Sequence, residues 1–260
     1  MPHLASIHIH PVKSLEPVSL QEVRILRSGA LEGDREYGLF DADGKFVNGK
    51  RNAKVHCLRS NYDAFTGELR LGNAAAGLTS AFHIERQRDK IEEFLSEFFG
   101  IPISLRHNIE VGFPDDLDSP GPTVISTATL AEVTRWFPPL EIGEIRTRFR
   151  ANLEIGGSAA FWEDQLYGVK DSLVRFRIGD CLFDGNNPCR RCAVPPRDPA
   201  TGEGYPEFSQ IFRQQREKTL PPWAERSRFD HFYRLAVNTK VPPGQAGKML
   251  RVGDEVEVVR

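Results

Sequence analysis

The chain has 260 residues, 27% of them charged, and a formal net charge of −2, a length that suits one large domain or two small ones. Near-balanced charge argues against a dedicated nucleic-acid binder, and no apolar run is long enough to cross a membrane. The opening Met-Pro-His-Leu-Ala-Ser lacks a basic region and an apolar core, and four cysteines make no disulfide framework, so a cytoplasmic protein is expected.

The first third reads as β-structure. Residues 4–10 alternate as a strand and residues 18–26 form a second. Residues 37–40, the turn Asp41-Ala42-Asp43-Gly44 and residues 45–47 spell a strand, a tight turn and a return strand, and residues 67–72 add another short strand. The period then changes: Ile91, Phe94, Leu95 and Phe98 recur at helical spacing within 89–99, and Gly100-Ile101-Pro102 stops the helix. Residues 112–122 (GFPDDLDSPGP) form a loop and the expected domain junction, dividing the chain into 1–110 and 111–260. Beyond it, Thr127 or Thr129 can cap a helix through Leu130 and Trp136, which Pro138-Pro139 stops. Residues 148–155, 173–178 and 256–259 read as strands, and 208–217 as a further helix. Many short strands, few helices and frequent Gly/Pro turns predict a mainly β, barrel-type architecture.

Chemistry concentrates in Pro188-Cys189-Arg190-Arg191-Cys192, followed by Asp198-Pro199-Ala200-Thr201-Gly202. Two thiols stand three residues apart with two guanidinium groups between them, and positive charge favours the reactive thiolate. Cys57 and Cys181 make no second C-x-x-C, as a closed zinc site would want, and the pair follows a turn cluster where a thioredoxin-type pair would open a helix. One thiol on a loop, acting as nucleophile or as ligand to a soft metal, is the better reading. His10-Pro11-Val12-Lys13-Ser14 ends the first strand, so Lys13 and Ser14 either present an ammonium and a hydroxyl to an anion or are an exposed lysine beside a turn serine. Arg35, in Gly33-Asp34-Arg35, can face inward or outward. Arg146, Arg148 and Arg150 alternate with Asn152 on one expected strand face, either a phosphate-binding ladder or a solvated charged surface. His8 and His10 also share a face at metal-binding spacing, with no third ligand nearby.

Together these segments resemble the MOSC superfamily, named for the C-terminal domain of molybdenum-cofactor sulfurases. The resemblance is closer to members with an extra N-terminal β-barrel domain, a group that includes the mitochondrial amidoxime-reducing component and bacterial N-hydroxylated-compound reductases. The family's aromatic-PVKS opening is similar to His10-Pro11-Val12-Lys13-Ser14, and its G-x-x-x-D-R hairpin to Leu31-Glu32-Gly33-Asp34-Arg35. Its serine before a helix resembles Ser126, and its F-R-P-N strand resembles Phe149-Arg150-Ala151-Asn152. The C-x-R-C…D-P-x-T-G signature resembles Cys189 to Cys192 with Asp198 to Gly202, and the closing V-G-D-x-V resembles Val252-Gly253-Asp254-Glu255-Val256. The chain departs from the pattern at His10 (usually aromatic), Ala151 (proline), Arg190 (small and polar) and 193–197 (threonine-rich).

The resemblance implies an N-terminal MOSC β-barrel domain over 1–110 and a MOSC domain over 111–260, with a pterin-based molybdenum cofactor between them. It places the catalytic, metal-ligating thiolate on Cys192. It implies that Lys13, Ser14, Arg35, Ser126, Arg150, Asn152 and Arg191 hold the pterin or its terminal phosphate. The implied activity is reduction of small N-oxygenated or N-hydroxylated substrates. The cysteines lack the spacing of a plant-type iron–sulfur cluster, so electrons are expected from a separate donor, whether a flavoprotein, a ferredoxin-like protein or a b-type cytochrome. The alternative is a cofactor carrier or sulfur-transfer protein with a persulfide on Cys192. No nucleic-acid or membrane partner is expected.

Overall fold

The structure is a computed structural model that describes residues 1–259. In chain order its strands are β1 (His3–Ile9), β2 (Val18–Leu20), β3 (Glu22–Arg24), β4 (Tyr37–Phe40), β5 (Leu58–Asp63), β6 (Glu68–Asn73), β7 (Gly77–His83) and β8 (Ser104–His107). There follow β9 (Val124–Ser126), β10 (Leu153–Gly156), β11 (Val174–Ile178), β12 (Cys181–Arg190), β13 (Arg234–Lys240), β14 (Met249–Arg251) and β15 (Val256–Val258). The helices are α1 (Arg88–Phe99), α2 (Thr127–Arg135), α3 (Ile142–Phe149) and α4 (Phe208–Lys218). The fold is mainly β with few helices, and no helix is long and apolar enough to cross a membrane.

One sheet organises the molecule, in the order β15-β11-β12-β13-β9-β10-β1-β2. Its neighbours are antiparallel except β9 and β10. β1, next to the edge strand β2, buries Leu4, Ile7 and Ile9. The odd spacing of Leu4 and Ile7 is absorbed by a register shift between Leu4 and Ser6, which turns both side chains to one face. They pack with Phe176, Ile178 and Phe183 of β11 and β12. A second core lies under the β5-β6-β7 meander, the β4–β8 pair and α1, and includes Leu39, Leu71, Ile91, Leu95 and Leu105. Ile91, Leu95 and Phe99 make the inner stripe of α1, and Gly100, at φ +74°, returns its N–H to Ser96 O at 2.8 Å. A third, aromatic core joins α2, α3 and α4, with the Phe137 and Phe208 rings stacked at 4.1 Å.

The main core draws on both ends of the chain. β1 and β2 complete the large sheet, while Val12 and Leu15, only a few residues on, enter the second core. The segment 112–122 then leads from the second core back to β9.

Three local expectations change. The strand expected over 148–155 begins only at Leu153, as β10; residues 142–149 are helix α3, because Ile145 and Phe149 bury one helical face against the aromatic core. The alternating arginines therefore do not share a face: Arg146 pairs with Glu154, Arg148 with Glu144, and Arg150 caps the helix. Residues 185–188 are not a turn but part of β12, with register shifts at Gly185/Asn187 and Pro188/Arg190 accommodating the turn-forming residues. Gly185 is required there, since a Cβ would lie 1.8 Å from Leu166 O. The turn after β4 forms as expected, but its return segment makes only the Phe40–Phe46 bridge, and the ladder partner of β4 is β8.

Candidate functional site

A cavity of about 540 Å³ is bordered by Leu15, Val55 and Leu58 of the second core and by Phe149 of the third. Its wall draws on the 13–16 turn, Arg35, the 48–50 turn, the 114–121 linker, the C-terminal end of α3 and the end of β12. Backbone pairing clasps the first two together: Lys13 N–H donates to Tyr37 O at 2.8 Å and Arg35 N–H to His10 O at 2.8 Å. Ser14, Arg35 and Arg150 all occupy the left-handed region, at φ +74°, +55° and +52°. Such a conformation costs a non-glycine residue about 1–2 kcal/mol, and three such residues stand at this one cavity.

The charges are closely interlocked. Lys13 Nζ donates to Phe113 O at 2.7 Å and to Asp115 Oδ1 at 3.0 Å, and lies 5.2 Å from the centre of the Phe46 ring. Burial lowers its pKa, and Asp115 offsets part of that effect. Lys50 Nζ reaches the same Asp115 oxygen at 3.0 Å. Burial opposes ionisation of Asp115, but Lys13, Arg35 and Lys50 outweigh it and hold the carboxyl well below the usual range. Arg35 is paired with Asp34, which also accepts the His10 N–H at 2.8 Å. Burial would raise the Asp34 carboxyl, but these partners hold it at about 2. His10 itself is turned inward, and burial, then the charge of Arg150, push its imidazole down to about 3. It does not join His8, which faces Glu154 at 3.5 Å, and no cluster of three or more His, Cys, Asp or Glu side chains suited to a metal exists among the described residues.

Arg150 differs from its neighbours. It donates to Leu15 O at 2.7 Å but makes no ion pair among the described residues. Burial, followed by the like charge of Arg35, brings its guanidinium down to about 10. Arg191 also has no carboxylate: it donates to Phe149 O at 2.6 Å and to Cys189 Sγ at 3.2 Å, and its buried Nε has no acceptor. Cys189 and Cys192 both line the cavity, with Lys50 within electrostatic reach of both sulfurs. Cys181, by contrast, is buried in the main core, where burial pushes its thiol up to about 11. Cys57 lies outside the cavity and donates to Thr201 O at 3.3 Å.

The cavity thus brings together Lys13, Ser14, Arg35, Arg150, Asn152, Arg191 and Cys192. Asn152 is spent on scaffolding, since its Oδ1 accepts from Thr123 N–H and Oγ1 at 3.2 Å each and its Nδ2 donates to His8 O at 3.0 Å. Ser126 is not brought there. It is fully buried as the N-cap of α2, accepting the Thr129 N–H at 3.1 Å, which satisfies a donor the helix start would leave open. Sequence reasoning missed Lys50 and Asp115. The signal for Lys50 was the Asn48 side chain, which accepts the Lys50 and Arg51 N–H groups at 3.1 and 3.2 Å in an Asx-type turn that presents the lysine. Arg51 itself stays outside the cavity.

Chemically, guanidinium groups without carboxylates beside ammonium groups suit a phosphate, and an adjacent thiol pair suits a soft metal. The donor set therefore fits a phosphate-bearing molybdenum cofactor.

Molybdenum cofactor sulfurase of Caenorhabditis elegans is 32% identical over 95 residues, which is 36% of this chain but only 12% of the length of that protein. Similar solved structures include a hypothetical protein (12% identity, covering 100% of this chain and 68% of that one, TM-score 0.41). The YUAD protein from Bacillus subtilis (12% identity, 99% and 96% coverage, TM-score 0.36) and YiiM from Escherichia coli (14% identity, 54% of each chain, TM-score 0.35) are others. Residues 1–102 match the MOSC N-terminal beta barrel domain. With residues 123–257, more than half its length, matching the MOSC domain, the chain belongs to the MOSC family.

Proposed function

We propose that the chain holds a pterin-based molybdenum cofactor in this cavity and reduces N-hydroxylated compounds with electrons from a separate protein. The MOSC family is associated with molybdenum cofactor binding. The observation that carries the reading is Arg150, a guanidinium without an ion pair, beside Arg35 and near the Cys192 sulfur. A partly buried cation with no direct ion pair favours an anion from outside the chain.

In this reading Lys13, Arg35 and Arg150 hold the terminal phosphate, Ser14 adds a hydroxyl, and Arg191 braces the thiol loop against Phe149 O. Cys192 supplies the thiolate ligand. The cofactor, when bound, supplies a two-electron redox centre. Reduction of an N-hydroxyl compound then takes two electrons and two protons and yields the amine and water. Lys50, whose Nζ shares the Asp115 oxygen with Lys13, adds a second ammonium to the phosphate-binding set. Arg190 stands at the cavity rim, held by His231 Nε2 at 2.7 Å and Asp230 at 3.0 Å, and offers a fixed cation to an acidic electron donor. A cytoplasmic setting belongs to the same proposal, because the thiol pair has to stay reduced.

The test is molybdenum analysis of the purified chain, expected near one metal per chain, followed by benzamidoxime reduction with a chemical reductant. A second reading, a carrier or persulfide protein, is favoured by the second thiol, Cys189, in the same cavity. Molybdenum binding without turnover, with rapid transfer of cofactor to an apo-molybdoenzyme, would select it.

A further inference from the structure

We propose that Lys13 and Lys50 form an anion subsite which Asp115 fills as an internal counter-ion, and that the phosphate monoester of the cofactor displaces Asp115 and frees the 112–122 segment. This rests on the anion-binding half of the reading above and is independent of any reductase activity.

The geometry is specific. A single carboxylate oxygen, Asp115 Oδ1, receives both ammonium groups at 3.0 Å. The two lysines come from separate turns, and Asp115 comes from neither: it lies on the segment that joins the two halves of the chain. The partners also differ in exposure. The Lys13 side chain is 8% exposed, whereas Asp115 and Lys50 are 53% and 43% exposed. A buried ammonium left without a partner is strongly unfavourable, so Lys13 needs an anion whether or not a ligand is present. Asp115, at 53% exposed, can pass into water where Lys13 cannot, at a cost that the incoming phosphate has to outweigh. Arg35 adds a further positive charge to the Asp115 carboxylate, already paired at Asp34. One carboxylate charge therefore stands where a phosphate dianion would satisfy the same cations with more oxygens.

The segment is suited to movement. Between Gly112 and Pro122 it has no helix or strand. Besides Asp115, the segment is tied to the large sheet by Asn238 to Asp116 at 3.1 Å, Asn186 to Ser119 at 2.7 Å and Thr239 to Pro122 O at 2.7 Å, and at its start by Phe113, whose O accepts from Lys13 Nζ and whose ring meets Phe40 and Phe46. Leu117, between those anchors, is 82% exposed and packs on no core. Because residues 114–121 also line the cavity, release of Asp115 would widen the entry for the ligand that releases it.

The test is calorimetric titration of the cofactor-free 260-residue chain with inorganic phosphate at neutral pH. Asp115→Asn should bind phosphate about tenfold more tightly than the parent chain, whereas Asp116→Asn, which removes a neighbouring charge without touching either lysine, should change affinity less than about threefold. Lys50→Met should weaken binding. In the parent chain, phosphate should quicken amide hydrogen exchange across 112–118, a readout that needs no substitution and stands even if a variant misfolds. Equal or weaker phosphate binding by Asp115→Asn, or slower exchange of 112–118 on binding, would make Asp115 a fixed positioning residue and overturn the proposal. So would absence of phosphate binding to both chains. In the cofactor-loaded chain, phosphate should no longer bind, because the monoester already fills the subsite. Undiminished binding there would assign the subsite to a separate soluble anion and sink the assignment to the cofactor.

Discussion

Arg150→Gly separates a ligand-binding guanidinium from a structural one. The guanidinium is displaced from 12.5 to about 10, and at about 1.4 kcal/mol per unit its charge destabilises the cofactor-free fold by at most about 3.5 kcal/mol. Both the folded and unfolded values lie well above neutrality, so this penalty is fully present at neutral pH and fades only above the lower one. Glycine also relieves the φ of +52°, a gain of about 1 kcal/mol. Against these stand the lost charged hydrogen bond to Leu15 O, about 2 kcal/mol, and the added freedom of the unfolded chain, about 1 kcal/mol. The net change in unfolding free energy is within about 2 kcal/mol of zero, whereas removing one partner of a buried ion pair costs about 3–5 kcal/mol. Urea unfolding of the cofactor-free chain should therefore show no large fall in its midpoint. Phosphate affinity, measured calorimetrically, should fall at least tenfold, since charge-assisted hydrogen bonds contribute about 1.5–3 kcal/mol. A loss of about 3 kcal/mol or more in stability, with phosphate affinity retained, would refute the reasoning and make Arg150 a structural residue.

Cys192→Ser should abolish molybdenum retention and activity, because a hydroxyl is a poor substitute for a soft thiolate, while Cys189→Ser should be milder; metal analysis that reverses this order would move the ligand to Cys189. Arg150→Lys keeps the charge but loses the bidentate fork, so cofactor retained through dialysis should fall about tenfold relative to the parent chain. Glu163 is buried with Oε1 unpartnered, and burial, reinforced by Asp164, raises its carboxyl. The folded chain thus keeps a proton that the unfolded chain releases above 4.5, stability falls as pH rises from there toward neutrality, and Glu163→Gln should flatten that slope in urea titrations. Gly185→Ala would set a Cβ 1.8 Å from Leu166 O, so a melting temperature near that of the parent chain would contradict the close approach that fixes β12.

What could be read in advance followed from apolar spacing. Ile91 and Leu95 announced α1, and Phe208 with Phe212 marks the buried stripe of α4, because those positions decide which face leaves water. α3 was misread for the opposite reason. The alternation of Arg146, Arg148 and Arg150 is a pattern of charge, and charge does not choose the buried face; Ile145 and Phe149 do. The cavity was legible only as an ordered set of motifs, because β1 crosses into the sheet of the C-terminal half and no local pattern shows that Lys13 and Arg150 share one wall. The side chains that escaped notice, Lys50 and Asp115, lie in a turn and a linker, segments that sequence reasoning treats as spacers. A buried cation needs a counter-charge, but nothing in the order of residues says which exposed carboxylate supplies it. Motifs therefore identify the groups that grip a ligand sooner than those that stand in for it. At this site the second kind, Asp115, governs whether the first kind is free to bind.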